Sequence, residues 1–528
     1  METMSAIDPE QIAAAEAILG IAFTASEREM MAPGLEGKVA RYDRRRERST
    51  LGNEDAPLTS FDPWLGAGAP TGSYQPLMQL GEAGPLPDAD EDIAFAPAWQ
   101  LAGWIRSGKL TSERLTQIYL DRIAAHDGKT LACITVLKDS ALAESRARDA
   151  ELAAGNWRGP LHGLPYGAKD LFATDGVRTT WGAEPWADQV PDDDATVVRK
   201  LRDAGAVLLA KTSLGALAYG DRWLDKRTNN PWNLEQGSSG SSAGSASGTA
   251  AGYFAFSLGT ETYGSIVSPS MRCGTTGLRP TFGRVSRGGA MALCWTLDKV
   301  GPITRSVRDT RLVLDAIAGA DAADPSTQDM PLADWQDVPF EKIRVGYRPE
   351  WFEGRRVQAG DRAALAALQE LGVEMVEIEL PEGPHDCLMT ILEVEAAAAF
   401  EDMTRSNADD QLQWQAPQAW PNSFRSAWMV PAIELIQADR YRRKMAGAFA
   451  GALSEVDAVF GPSFAGGMLM LTNFTGHPCL VFRTGLDQRG QPHGSTLWAP
   501  LAEEGVLFRL GEALEEKLGV ASLRPPLT

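Results

Sequence analysis

Sixteen consecutive small residues, GSSGSSAGSASGTAAG at positions 237 to 252, constrain the fold of this chain more than any other feature. Such a composition is also typical of a flexible Gly/Ser linker. Here, however, it leads directly into AAGYFAFSLGTETYGSI, whose apolar run predicts a buried strand followed by a turn. Glycines recur at positions 240, 244, 248 and 252, so a helix would place them on one face. The segment therefore predicts a helix that packs its backbone against a neighbouring element.

The predicted turn ends at Ser265, and a serine needs a base before it can act as a nucleophile. Histidine is the usual base, but no histidine lies in the glycine- and serine-rich segments. We expect each histidine at the surface or at a helix end. The histidines of the chain are His126, His162, His385, His477 and His493. A buried lysine that has lost its charge can take the place of histidine.

Lys169 is the lysine best suited to this role, and it lies in GPLHGLPYGAKDLFATDG at positions 159 to 176. A strand that begins near Tyr166 would point Lys169 and Asp170 to opposite faces, so that one faces the core and the other leaves it. The separation matters because a carboxylate on the same face would raise the pKa of the lysine. Taken alone, the segment is more typical of an exposed Lys-Asp pair at a strand end.

Four blocks in this order resemble the amidase signature family of serine amidohydrolases. They are GPLHGLPYGAKD, PDDDATVVRKLRDAGAVLLAKT, NPWNLEQGSSGSSAGSASG and LGTETYGSIVSPSMRCGTTGLRPTFGRVSRGG. The E-T-x-G-S-I sequence around the serine is most similar to the peptide-amidase-like branch of that family. The resemblance is dense from about Leu101 to Gly319 and thinner from there to the end of the chain.

The resemblance implies a catalytic triad of Lys169, Ser241 and Ser265. Ser241 would follow a cis peptide bond, and Ser265 would be the nucleophile that forms an acyl-enzyme. In the implied relay, neutral Lys169 accepts a proton from Ser241 as Ser241 accepts one from Ser265. The implied reaction converts a carboxylic amide and water into an acid and an amine or ammonia, without a metal or cofactor. The backbone N–H groups implied as the oxyanion hole belong to Thr262, Tyr263, Gly264 and Ser265.

The resemblance also implies an α/β fold, in which residues 93–528 form a single large amidase signature domain. Its central mixed twisted β-sheet would be covered by helices on both sides. Length alone favours three or four domains, but no long Pro-, Gly- or charge-rich linker divides the chain. Within the domain, residues 160–319 hold the core motif block and residues 320–528 the variable, substrate-selecting half. Residues 1–92 are expected to form an N-terminal extension of helices and a Pro/Gly-rich arm, a candidate surface for a homodimer.

Composition narrows the classes of partner. The formal net charge of −20 argues against nucleic acid or an anionic membrane surface. The five cysteines are odd in number and lack C-x-x-C spacing, so they indicate neither a disulfide framework nor a zinc site, and most should be buried thiols. No run of 18 apolar residues predicts a membrane span. We therefore expect a cytoplasmic protein whose partner is a small-molecule amide.

Several positions bear on the choice of substrate. Many members of the family have arginine where this chain has Val267, and Gly or Asp where it has Tyr263, so an anchor for a substrate carboxylate is missing. We therefore expect neutral hydrophobic or aryl amides, with carbamates or esters as further substrates. The tryptophan-rich segment 412–429 either walls an apolar pocket or belongs to the ordinary core. The side chains predicted to contact substrate are Ala218, Trp414, Trp420 and Trp428.

Three other interpretations stay open. The first is the glutaminase subunit of a tRNA amidotransferase, which has the same fold and which the missing arginine disfavours. The second is a non-catalytic scaffold, although the three triad residues are retained. The third is a cysteine-based amidohydrolase that uses Cys273 in the manner of nitrilases, although no matching motif surrounds Cys273.

Overall fold

Helices and strands alternate along the chain in the computed structural model, which describes residues 7–48, 51–58, 61–72, 80–354 and 357–527. The helices are α1 (Pro9–Leu19), α2 (Ala25–Arg48), α3 (Asp90–Phe95), α4 (Ala98–Arg106), α5 (Ser112–Thr130), α6 (Lys138–Ala153), α7 (Thr196–Asp203), α8 (Ala243–Ala250), α9 (Val267–Cys273), α10 (Val307–Ile317), α11 (Ala359–Leu371), α12 (Met389–Ala399), α13 (Glu401–Arg405), α14 (Trp420–Ala427), α15 (Ala432–Ala452), α16 (Met468–Phe474) and α17 (Glu504–Leu518). The strands are β1 (Cys133–Val136), β2 (Pro165–Lys169), β3 (Val207–Thr212), β4 (Arg222–Trp223), β5 (Lys226–Arg227), β6 (Asn229–Asn230), β7 (Asn233–Gly237), β8 (Phe256–Glu261), β9 (Thr276–Arg279), β10 (Lys299–Thr304), β11 (Arg344–Tyr347), β12 (Glu374–Glu377), β13 (Ala458–Pro462), β14 (Cys479–Leu486) and β15 (Pro492–Trp498).

One mixed sheet of eleven strands forms the centre of the molecule, in the order β1-β3-β2-β8-β10-β9-β14-β15-β13-β11-β12. Strand β2 is parallel to β3 and β8, and β11 is parallel to β12 and β13, whereas the other neighbours are antiparallel. Strands β2, β8, β9 and β10 are buried along their whole length. A large mixed sheet flanked by helices confirms the predicted α/β fold.

Parallel pairing of β2 with β8 brings the ends of two motif strands to one edge of the sheet. Tyr166 lies opposite Phe256, and their rings stack with centroids 5.4 Å apart. Because the two strands start together and run parallel, they also end together, at Lys169 and Glu261. Strand β10 runs antiparallel to β8 with Lys299 opposite Glu261, so Lys299 lies at the same edge.

The small-residue segment forms helix α8 over a shorter stretch than its glycine pattern predicts. Gly240 precedes the helix and Gly252 follows it, so the prediction is wrong at these two positions. Every residue of α8 is buried. A Cβ atom on Gly244 would collide with the carbonyl oxygen of Ala132. The predicted close packing of a glycine-bearing helix against its neighbours is therefore confirmed for α8 itself.

The first helices of the chain pair with each other and reach the body of the protein through arginines. Arg28 of α2 forms a 2.7 Å ion pair with Glu16 of α1. Near the end of α2, Arg45 and Arg46 contact Glu401 at 2.7 and 3.0 Å. Among the described residues, no helix is both long enough and apolar enough to cross a membrane.

The remaining predicted elements agree with the structure except in the last part of the chain. Thr111 caps α5 by accepting a hydrogen bond from the Arg114 N–H group at 3.1 Å, as predicted. The predicted helix, glycine turn and strand within residues 196–212 correspond to α7 and β3. Strand β15 was not predicted, because PHGSTLW carries little apolar pattern and becomes a strand through its pairing with β14 and β13.

Candidate active site

Lys169 ends β2 inside the protein, and its side chain is fully buried. Its Nζ atom lies 2.8 Å from Ser241 Oγ and 2.9 Å from Thr260 Oγ1. A third hydroxyl, Ser242 Oγ, is 3.2 Å away. Neutral hydroxyl groups therefore surround the amine, and no carboxylate hydrogen-bonds to it among the described residues.

This setting changes the protonation of Lys169. Burial lowers its pKa to about 7, although the charges of Asp298 and Glu261 act in the opposite direction. At neutral pH a large fraction of the lysine is then uncharged. An uncharged amine with a hydroxyl at 2.8 Å can accept a proton from it, as a general base must.

The acidic neighbour of Lys169 has partners of its own. Asp170 Oδ2 accepts hydrogen bonds from the Thr180 N–H and hydroxyl groups at 2.8 and 2.7 Å, and Asp170 Oδ1 lies 3.4 Å from Lys211 Nζ. Lys169 and Asp170 thus have separate partners, as expected for opposite faces. The expectation that one of them leaves the core is wrong, because Lys211 and Thr180 provide a buried setting for Asp170.

Ser241 joins Lys169 to the turn that carries Ser265. The Gly240–Ser241 peptide bond is cis, as the resemblance implies, and Ser241 is 1% exposed. The next N–H group, that of Ser242, donates to the Ser265 carbonyl oxygen at 3.2 Å. The structure therefore brings Lys169, Ser241 and Ser265 into one cluster.

The turn between β8 and α9 is held by the carboxylate of Glu261. Gly264 has a φ of +93°, which residues with a Cβ atom rarely adopt. Glu261 Oε2 accepts hydrogen bonds from the N–H groups of Ile266 and Val267 at 2.8 and 2.9 Å. These N–H groups follow Ser265 directly, so Glu261 fixes the start of the helix behind the predicted nucleophile.

The polar groups at the tip of the turn are available to a ligand. Within the described part of the chain, the Ser265 hydroxyl and the N–H groups of Tyr263, Gly264 and Ser265 have no hydrogen-bond partner. Ser265 and Tyr263 are half-buried. The Thr262 hydroxyl donates to Asp298 Oδ1 at 2.6 Å, which ties the turn to β10. Free N–H groups beside a free hydroxyl are the arrangement that an oxyanion hole requires.

A buried ion pair supports this turn, and sequence analysis missed it. Glu261 Oε1 lies 2.6 Å from Arg279 Nη1, and Asn473 Nδ2 donates to the same oxygen at 2.9 Å. Burial raises the pKa of Glu261, but the Arg279 charge and the hydrogen bonds outweigh it and lower this pKa to about 2. Both charged residues lie within the motif blocks. Their contact depends on strand order, which motifs do not reveal.

A cavity of about 810 Å³ lies beside the cluster. Thr260 and Thr262 form part of its wall, as does Ala218, which was predicted to contact substrate. Ser241 and Ser265 do not belong to this wall. Other large side chains of the wall are Leu171, Trp181, Met291, Leu293, Trp295 and Lys299. The cavity is thus mainly apolar, and its polar threonines lie on the strand that leads to Ser265.

The three predicted tryptophans lie elsewhere. Trp414 and Trp420 line a separate pocket of about 460 Å³, with ring centroids 5.1 and 5.0 Å from that of Tyr219. Trp428 is 42% exposed and lies beneath the Arg46 guanidinium of α2, in neither space. Their positions do not support contact with a substrate in the larger cavity, where the wall tryptophans come from other segments.

Histidine and cysteine side chains do not provide a second nucleophile at this cluster. His162 and His477 are buried, contrary to expectation, and burial lowers the pKa of His477 to about 3. Cys273 is fully buried, and burial raises the pKa of its thiol. Its sulfur contacts the Ser238 carbonyl oxygen at 3.6 Å. A buried thiol with a raised pKa is not a thiolate nucleophile.

Known proteins provide an independent comparison. The amidase family model matches residues 114–486. The A subunit of glutamyl-tRNA(Gln) amidotransferase from Moorella thermoacetica is 41% identical over 305 residues, which are 55% of this chain and 61% of that protein. The corresponding protein of Oleidesulfovibrio alaskensis is 33% identical over 472 residues, which are 80% of this chain and 96% of that protein.

Solved structures agree with these matches. The native peptide amidase from Stenotrophomonas maltophilia has a TM-score of 0.73 at 30% identity and covers 82% of this chain and 98% of its own. An amidase family protein from Bacillus anthracis has a TM-score of 0.73 at 26% identity and covers 83% of this chain and 93% of its own. Since the family model alone matches more than half of the residues, the chain belongs to the amidase family.

Proposed function

We propose that this protein hydrolyses a carboxylic amide through an acyl-enzyme on Ser265, with Ser241 and Lys169 as the proton relay. The observation that supports the proposal most is the 2.8 Å contact between Lys169 Nζ and Ser241 Oγ. Burial lowers the pKa of this lysine to about 7, so it is available as a base at neutral pH. Membership of the amidase family supports the same reaction class.

The proposed reaction begins when Ser265 Oγ attacks the amide carbonyl carbon. Its proton passes to Ser241 Oγ, and the Ser241 proton passes to Lys169 Nζ. N–H groups of the 262–265 turn stabilise the oxyanion, by about 3 to 4 kcal/mol for each well-placed donor. As the C–N bond breaks, the relay returns the proton to the leaving nitrogen. Water then gives a proton to the same relay, attacks the Ser265 ester and releases the acid.

Labelling with a fluorophosphonate tests the nucleophile. The adduct should map by mass spectrometry to Ser265, and Ser265→Ala should lower kcat by at least about a thousandfold while leaving the fold intact. Ser268→Ala is the matched control, because Ser268 lies three residues away and its hydroxyl hydrogen-bonds to Ser239 at 2.7 Å. An adduct on another residue, or full activity without the Ser265 hydroxyl, would contradict the proposal. A non-catalytic scaffold would form no adduct.

The proposed substrates are neutral amides with apolar parts. The larger cavity has Leu171, Met291 and Trp295 on its wall, and Val267 supplies no charge near the turn. Apolar side chains that line a cavity favour apolar substrate groups by about 25 cal/mol for each Å² that is buried. Aryl amides and longer alkyl amides should therefore be better substrates than acetamide.

A second function is supported by the relatives, which are A subunits of glutamyl-tRNA(Gln) amidotransferases. In this case the chain would release ammonia from glutamine for a partner. A panel of glutamine, aryl amides, alkyl amides, carbamates and esters separates the two functions. A kcat/KM for hydrophobic amides at least about tenfold above that for glutamine supports the amidase, and the reverse order supports the glutaminase.

A further inference from the structure

A second buried lysine, Lys299, lies on the wall of the cavity. It begins β10 and is 3% exposed. Lys299 pairs across the strands with Glu261, and the next pair is Val300 with Thr260, whose hydroxyl contacts Lys169. Lys299 is therefore close to the catalytic cluster, yet the proposed reaction does not use it.

The hydrogen bonding of Lys299 is incomplete. Among the described residues, its Nζ atom makes one hydrogen bond, a 3.4 Å contact with the Asn473 carbonyl oxygen, and no ion pair. Lys211, another fully buried lysine, contacts Phe172 O at 2.8 Å, Thr179 Oγ1 at 2.6 Å and a carboxylate oxygen of Asp170 at 3.4 Å. An ammonium group has three donors, so Lys299 keeps unused donors where Lys211 does not.

An unused acceptor lies in the same region. Asn473 Nδ2 donates to Glu261 Oε1 and to Leu469 O, each at 2.9 Å. Both partners are acceptors, so the orientation of the Asn473 amide is settled. Its Oδ1 atom is buried and has no partner among the described residues, and Asn473 is 1% exposed. Two polar side chains that share one contact thus both keep free hydrogen-bonding capacity.

The charged groups around Lys299 are occupied with other partners. Glu261 is paired with Arg279, and both Asp298 oxygens accept hydrogen bonds from the Thr262 hydroxyl and from backbone N–H groups. Arg442 donates to carbonyl oxygens and a hydroxyl. Burial and the Arg279 and Arg442 charges lower the pKa of Lys299 to about 7, against the opposing charges of Glu261 and Asp298. A buried amine with so few partners is costly unless a ligand completes its hydrogen bonds.

We propose that Lys299 is a substrate-binding residue that donates a hydrogen bond to an oxygen atom of the substrate other than that of the scissile amide. The oxygen belongs to a second carbonyl group or to a carboxylate. This inference rests on the proposed function and narrows its substrate class from neutral amides in general to amides with a second acceptor oxygen. It also supplies an anchor on β10 where Val267 supplies none.

A series of matched alkyl amides tests the proposal. Hexanamide has no second acceptor, the 3-, 4- and 5-oxo hexanamides move a carbonyl along the chain, and 5-carbamoylpentanoate ends in a carboxylate. One or more acceptor positions should lower KM relative to hexanamide in the natural protein. Lys299→Met should reduce that advantage by about ten- to a hundredfold, as expected for a hydrogen bond from a buried charged group. Lys299→Gln retains a donor and should recover part of it, and Lys138→Met, an exposed lysine, should change nothing.

The pH dependence of KM separates the two kinds of oxygen. If a carboxylate is bound, its KM rises above about pH 7, because Lys299 loses its proton there, and Lys299→Met removes this rise. If a carbonyl oxygen is bound, KM is nearly flat with pH. The ratio between the natural protein and Lys299→Met cancels the titration of Lys169, which both proteins share.

Failure of this inference and failure of the proposed function give different results. If Ser265 is not labelled and no amide is hydrolysed, the proposed function is wrong. The same amides can then be titrated calorimetrically against the Ser265→Ala variant with and without Lys299→Met. Lys299 has no such role if the acceptor-bearing amides bind no better than hexanamide, or if Lys299→Met leaves their advantage unchanged.

Discussion

At the scale of single residues, catalysis depends on a lysine that the fold keeps largely uncharged. Lowering the pKa of Lys169 from its ordinary 10.5 to about 7 corresponds to about 5 kcal/mol of stability. The unfolded chain keeps this proton up to about pH 10.5, whereas the folded protein loses it above about pH 7. Stability therefore rises with pH across this window, and the full cost applies below pH 7.

Lys169→Met should remove both the base and this cost. We expect kcat to fall by several orders of magnitude, because the relay loses its proton acceptor. Below pH 7 the variant should be more stable than the natural protein by a few kcal/mol, and the difference should shrink by about 2 to 3 kcal/mol between pH 7 and 9. Urea unfolding at four pH values measures it, with exposed Lys138→Met as the control. A difference that does not vary with pH would mean that Lys169 keeps its charge in the fold.

At the scale of secondary-structure elements, local motifs and strand order contribute different parts of the site. Lys169, Ser241 and Ser265 were predictable because each lies in a short recognisable segment. The contacts between Glu261 and Arg279 were not, because β8 and β9 are separated in the sheet by β10, which follows both in the chain. Lys299 escaped notice for the same reason, since its position depends on the register of β10 against β8.

The substrate-contacting residues show the same limit. Ala218 lines the larger cavity as predicted, but the tryptophans of segment 412–429 do not. Their composition indicated an apolar surface correctly and could not indicate which space it faces. Trp181 and Trp295 line the cavity instead, from segments whose single tryptophans form no pattern.

Helix α8 offers a test at this scale. Gly244→Ala should destabilise the protein by about 1 to 3 kcal/mol, because the added methyl group meets backbone atoms of Ala132 and Ser213 that cannot move aside easily. Activity should fall as well, since α8 begins directly after Ser241 and Ser242. The control is Gly447→Ala on exposed α15, where the methyl group has ordinary contacts and should add about 0.5 to 1 kcal/mol. Unchanged stability of Gly244→Ala would contradict the close packing of α8.

At the scale of the whole molecule, the N-terminal arm returns to the cavity. Asn53 Oδ1 accepts a hydrogen bond from the Ala292 N–H group at 2.6 Å, and Asn53 Nδ2 donates to the Ala292 carbonyl oxygen at 2.8 Å. Asn53, Glu54 and Ala56 belong to the cavity wall. The family model begins only at residue 114, so this part of the wall lies outside it. We therefore propose that the extension of residues 1–92 contributes to substrate selection and is not merely an appendage.

Asn53→Ala tests this role of the arm. The variant loses both hydrogen bonds to Ala292, so the arm should separate from the cavity more readily, and KM should rise by about three- to thirtyfold with little change in kcat. Asn156→Ala, at an exposed position, is the matched control. Deletion of residues 1–48 removes α1 and α2 but keeps Asn53, so it should leave KM near its natural value. If that deletion raises KM as much as Asn53→Ala does, the helices rather than the arm act on the cavity. If neither change affects KM, substrate selection resides entirely within residues 93–528.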